Sequence, residues 1–77
     1  MNNFNNPLEE MEFISQLYEK YKDLLPQSQK QALYLRLYED LSFSEIGTEL
    51  AMTRSGAFDA VKKGKKKLIE IHQKVSD

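Results

Sequence analysis

Seventy-seven residues suffice for one small domain, and a chain of this size buries only about 60% of its unfolded surface, leaving little to wall off an enclosed active site. Cysteine is absent, which excludes disulfides, thiolate nucleophiles, iron–sulfur clusters and thiolate zinc sites, and no stretch approaches the ~18 apolar residues of a membrane span. The net charge of −1 conceals a division: residues 1–50 carry four basic and nine acidic side chains, residues 51–77 seven basic and three acidic, so one end is suited to a polyanion and the other is not.

Residues 1–7 are mostly asparagine and lack the basic-then-apolar order of a signal peptide, so they are expected to be a disordered leading segment of a cytoplasmic protein. Residues 8–77 read as one helical domain. With three glycines, two prolines and no period-2 alternation of Val, Ile or Thr, strands have no support.

The first predicted helix runs from Leu8 to Leu24. Pro7 suits a helix start, and Glu9, Glu10 and Glu12 suit the positive end of its dipole. Met11, Ile14, Tyr18, Tyr21 and Leu25 form one stripe, which packs internally or pairs with a second copy in a homodimer. Pro26 ends this helix and opens the next, Gln27 to Asp40. That second helix is apolar nearly all round, with a thin polar strip at Gln31, Arg36 and Glu39, and is expected to be central.

Ser42-Phe43-Ser44-Glu45 is a capping box, with Leu41 and Ile46 placed as a hydrophobic staple. It predicts a short third helix, Phe43 to Leu50. After a tight turn, Thr53 caps a fourth helix running to Lys74. Two helices joined by a three-residue turn are the helix-turn-helix layout, so the expected fold is all-α, about four helices.

At ~100° per residue, Val61, Gly64, Leu68, Ile71 and Val75 of the fourth helix fall within ~40° of Ala57, as an inward seam. Ser55, Asp59, Lys62, Lys63 and Lys66 gather opposite. A helix with a cationic outer face fits the DNA major groove or lies along an RNA backbone. Arg54, at the first helical position, is placed for a phosphate, as are the free N–H groups of the first turn. The nucleic-acid-binding candidates are therefore Arg54, Ser55, Lys62, Lys63 and Lys66. Asp59 in the same face opposes phosphate binding, and a lysine run is by itself commonly a solvated face.

Leu24-Leu25-Pro26, Gln29, Ala32-Leu33-Tyr34-Leu35-Arg36 and Asp40-Leu41-Ser42-Phe43-Ser44-Glu45-Ile46-Gly47 together resemble region 4 of sigma-70-type factors. Thr53-Arg54-Ser55-Gly56-Ala57-Phe58-Asp59-Ala60-Val61-Lys62-Lys63, leading to Lys67-Leu68, resembles the recognition segment of the YlxM family. These are small helix-turn-helix proteins whose genes usually neighbour those of the signal recognition particle. The resemblance covers about Phe13 to Ile71. It implies a sigma-region-4-like helix-turn-helix and a place in the signal recognition particle pathway, touching its RNA or its GTPase. Gly47 stands where the pattern has Ala, Ala51 where it has Gly, and Ala57 where it has Val, so this corner is expected to be less fully packed. The extended acidic C-terminal tail of many members has no counterpart, and nothing in the chain supplies the second region a complete sigma factor needs.

Catalysis has no support: the lone His72, near a helix end beside Glu70, reads as a surface residue and suggests no Ser–His–Asp grouping, there is no second His or Cys for a metal site, and no glycine-rich phosphate loop exists, so neither a cofactor nor a metal is expected. The tyrosines at helical spacing beside leucines read as core or interface residues, not base-stacking platforms. Three functions remain open: a regulator reading duplex DNA, an accessory of the signal recognition particle, and a pure protein-interaction module.

Overall fold

Asn6 begins the first helix. In the computed structural model, which describes residues 6–76, its side-chain oxygen accepts from the Glu9 N–H at 2.9 Å and Pro7 takes the first turn, so helix α1 spans Pro7–Tyr21. Residues 6 and 7 thus belong to the helical body, and the disorder expected of residues 1–5 lies outside the described residues. The predicted continuation to Leu24 is not α-helical. Residues Lys22–Leu24 tighten into a 3-10 turn, with the Leu25 N–H donating to the Lys22 carbonyl at 3.1 Å. The cause is Pro26, which forces Leu25 into extended backbone (φ −89, ψ 147).

Helix α2 spans Gln27–Tyr38 and stops short of its predicted end. Asp40 adopts a left-handed backbone (φ 56), which short polar side chains tolerate better than most. The Leu41 N–H then reaches back to the Leu35 carbonyl at 3.2 Å. Helix α3 has its predicted bounds, Phe43–Leu50, because the capping box forms: Glu45 N–H donates to Ser42 Oγ at 3.1 Å and Ser42 N–H to Glu45 Oε1 at 2.8 Å. Thr53 caps helix α4 by accepting from the Gly56 N–H at 2.9 Å, and α4 runs Arg54–Ser76.

The α3–α4 turn is where the sequence departs from the pattern it resembles, and Ala51 carries the strain. Its φ of 57 and ψ of 44 are left-handed, and the Met52 N–H closes onto the Gly47 carbonyl at 2.8 Å. A Cβ in this region costs on the order of 1 kcal/mol, which glycine avoids. Ala51→Gly is therefore expected to raise stability by about 1 kcal/mol, read as a higher urea midpoint at unchanged slope. A lower midpoint would show that the turn bears no such strain.

The same turn corrects the expectation of a loose corner. A Cβ built on Gly47 would sit 2.7 Å from the Met52 carbonyl oxygen and 3.2 Å from Thr53 backbone atoms. Glycine here lets the backbone between the two helices press directly onto α3. Ala57 and Ile46 beside it are fully buried. The corner is tight, with a backbone contact where a side chain was expected.

The core comprises Ile14, Leu17 and Tyr18 from α1, Leu25, Ala32 and Leu33 around α2, Ile46 from α3, and Ala57, Ala60, Val61 and Leu68 from α4. Helix α4 packs against α1, α2 and α3 in turn and is the central element, in place of α2. The apolar girdle of α2 is not all inward: Ala32 and Leu33 are buried, while Tyr34 and Tyr38 are nearly half exposed, with ring centroids 5.4 Å apart. Tyrosine serves there because its ring packs while its hydroxyl stays wet. The inward seam of α4 also ends early, for Ile71 is half-buried and Val75 is 64% exposed. Among the described residues, no helix is long and apolar enough to cross a membrane.

Candidate nucleic-acid interface

Docking of α4 through its seam fixes which side chains face outward. Arg54, Ser55, Lys62, Lys63 and Lys66 are all exposed, as are Lys67 and Lys74. They do not form a single patch. Arg54, Phe58, Lys62 and Lys66 follow one another at intervals of four, so they make one continuous ridge on the helix surface. Ser55 lies beside the start of this ridge.

Lys63 and Lys67 turn the other way. With Lys66 they line a shallow cleft of about 260 Å³ whose opposite wall is Pro26 and Gln29 at the start of α2, and whose far end is Glu70. The approach of α2 and α4 that makes this cleft depends on Gly64, where a Cβ would lie 2.7 Å from Leu33 Cδ1. Lys66 is thus the one predicted site residue common to both edges.

The ion pairs decide how much of this positive charge is uncommitted. Lys63 Nζ is bound to Asp59 Oδ2 of its own helix at 3.1 Å, which disposes of the carboxylate that would oppose an anion. In the N-terminal half, Glu19 lies 3.5 Å from Lys22 and Asp23 lies 2.8 Å from Lys30. The Asp23–Lys30 hydrogen bond holds the aspartate below its ordinary range and raises the lysine. Two carboxylates of α1 and its 3-10 turn, Glu19 and Asp23, are therefore matched to lysines of their own region. Among the described residues, no carboxylate lies within ion-pairing distance of Arg54, Lys62 or Lys66.

Arg36 has a role that its place in a polar strip did not reveal. Its Nη1 donates to the Leu41 carbonyl at 2.9 Å, and its guanidinium carbon lies 4.5 Å from the centroid of the Phe43 ring. Phe43 in turn meets the Phe58 ring edge-on, with centroids 5.1 Å apart and planes at 84°. One chain of contacts thus runs from α2 through the first residue of α3 to the ridge of α4. Arg36 thus ties α2 to the segment that leads into α3. The sequence signal for Phe58 was its spacing of four from both Arg54 and Lys62.

On the other side of the molecule, α1, α2 and the end of α3 enclose a groove of about 430 Å³ against Tyr18, Tyr34, Lys30 and Glu49. The buried Tyr18 hydroxyl donates to the Lys30 carbonyl at 3.0 Å, and burial raises its pKa. The Tyr38 hydroxyl donates to Glu19 at 2.5 Å, a bond that pushes the phenol up to about 12 and holds Glu19 below its ordinary value. Below pH 10 the phenol is protonated whether the chain is folded or not, so this bond contributes fully; as pH rises through about 12 the folded phenol ionises and the contribution is lost. Tyrosinate absorbance should therefore show one midpoint near 12 that disappears in Tyr38→Phe, with the denaturation midpoint of the native protein falling between pH 10 and 12. A Tyr38 midpoint near 10 would show that the hydroxyl is not engaged.

Comparison with known proteins gives a family match across nearly the whole chain. The family described as "UPF0122: Putative helix-turn-helix protein, YlxM / p13 like" matches residues 8–76. A UPF0122 protein of Mycoplasma capricolum is 38% identical over 71 residues, which is 92% of this chain and 63% of the relative. A probable UPF0122 protein of Mycoplasma mycoides is likewise 38% identical over 71 residues, with the same coverage. One from Limosilactobacillus fermentum is 35% identical over 68 residues, 88% of this chain and 60% of the relative. The chain spans less than two thirds of the length of these relatives. No solved structure matches.

Proposed function

Because the chain belongs to the UPF0122 family of YlxM/p13-like helix-turn-helix proteins, we propose that it is a non-enzymatic, nucleic-acid-binding regulatory protein of the cytoplasm. It grips the phosphate backbone with α4. The observation that carries this reading is the distribution of ion pairs: Glu19 and Asp23 pair with Lys22 and Lys30 of their own region, and Arg54, Lys62 and Lys66 stay exposed and outside any ion pair on one side of one helix. Such a surface gains affinity by releasing the counterions condensed on a polyanion. The likeness to a family whose genes usually neighbour those of the signal recognition particle makes that pathway the cellular context we propose, through its RNA or its GTPase.

The deciding experiment is recovery and sequencing of nucleic acid that co-purifies with the tagged protein at low salt. Titration of the recovered species should follow, with log affinity falling linearly against log salt. Absence of any nucleic acid, with no affinity for a random duplex or for signal recognition particle RNA, overturns the reading.

A second reading is a protein-contact module or homodimer, and the side remote from α4 favours it. Tyr34 lines the 430 Å³ groove, its ring packs on that of Tyr38, and both are nearly half exposed. Under that reading, reversing the α4 lysines leaves partner binding intact.

A further inference from the structure

Phe58 is the feature that phosphate gripping leaves unexplained. It is 49% exposed on the outward face of α4, between two cations, yet it is not loose. Phe43 holds its ring edge-on, and Phe43 is itself held by the Arg36 guanidinium. An exposed aromatic fixed in this way presents an apolar surface at no further cost in side-chain freedom. Beside it, Asp59 places a carboxylate on the same outer face, tied to Lys63. A surface serving only to attract phosphate gains nothing from either residue. A surface that meets base edges can use both, since apolar side chains contact the thymine methyl and carboxylates accept from cytosine N4.

Resting on the nucleic-acid reading above, we infer that the ligand is duplex DNA and that Phe58 is its specificity-determining residue, taking the 5-methyl group of a thymine in the major groove. Arg54 and Lys62, one turn before and one turn after, hold the phosphates on either side. The shape of the molecule agrees. Helix α4, 23 residues and so about 34 Å long, has the diameter that the ≈ 12 Å major groove of B-DNA admits. The major groove of an RNA duplex is too deep and narrow for it, and RNA carries uracil, which lacks the methyl.

The test uses the full chain and a duplex selected by it from a random-sequence pool. Each thymine of the selected duplex is replaced in turn by deoxyuridine, which removes one methyl group and nothing else. At one position the wild-type protein should bind about fourfold more weakly, the value of one apolar carbon removed from water. Phe58→Ala should bind both duplexes equally. Phe58→Leu, which keeps an apolar edge and fills the space beside Phe43, should retain a preference for thymine and guards against mere loss of folding. If every deoxyuridine duplex binds as well as its parent, or if the thymine preference survives in Phe58→Ala, the inference fails while nucleic-acid binding stands. Tighter binding of an RNA of the same sequence overturns the inference in the same way. Failure to bind any duplex or RNA removes both readings together.

Discussion

Replacement of Lys62 and Lys66 by glutamate together is expected to weaken nucleic-acid binding roughly 100-fold at low salt and to cut the slope of log affinity against log salt by about two units. Both side chains are exposed and neither is in an ion pair, so their removal breaks nothing that holds the fold. Each accounts for one counterion released from the polyanion, and the substituted carboxylates add repulsion from the same positions. The comparison variant is Lys63→Glu. Lys63 already faces Asp59 at 3.1 Å, so part of its charge is spent within the helix, and its reversal should cost less than that of either neighbour. Circular dichroism and the thermal midpoint of the double variant should match the wild type. Should the double reversal bind as well as wild type, the outer face of α4 is not the contact surface, and the remote groove becomes the place to look.

The largest effect on stability is expected at the crossing of α2 and α4. Leu33 is fully buried there, and Leu33→Ala should cost about 3–5 kcal/mol, a loss comparable with the total stability of so small a domain. Gly64 faces it. On an exposed helix, glycine to alanine would stabilise by up to ~1 kcal/mol. Here the new Cβ would lie 2.7 Å from Leu33 Cδ1 and 3.2 Å from its Cγ, and Leu33 has no free space to retreat into. Gly64→Ala should therefore destabilise by about 1–3 kcal/mol, opposite in sign to the propensity effect. The two defects are complementary, one leaving a cavity where the other adds a carbon. The double variant should be more stable than the sum of the single losses implies, by at least ~1 kcal/mol in a thermodynamic cycle. Strict additivity would mean that the helices do not meet at these residues.

Local signals were legible in the sequence and long-range ones were not. The Ser42–Glu45 box and the Thr53 cap each follow from a few adjacent residues, and α3 keeps its expected bounds between them, whereas the left-handed backbone at Ala51 is shown by the structure. The end of α2 depends on Asp40 adopting a positive φ, which no glycine advertised. The breadth of the α1 contact was understated: Leu17, outside the stripe, is 3% exposed because α4 crosses that face of the helix. The fourth helix overtook α2 as the centre because Gly64 admits α2 close against it and Gly47 lets the turn before it press onto α3. Glycine announces such proximity only once the partner is known. For the same reason the cationic face was foreseen as one surface, while the cleft formed with Pro26 and Gln29 divides it into two edges. Arg36 was hidden by its polarity, since a charged side chain on a mostly apolar helix reads as solvated until a ring is found beneath it.

A body in which three helices all rest on one rod has no smaller unit that can open by itself. Loosening α4 removes the floor under α1, α2 and α3 together. Backbone amides in the middle of all four helices then share one slow exchange rate, set by opening of the whole chain. The protein therefore offers its outward edge to solvent either fully formed or not at all.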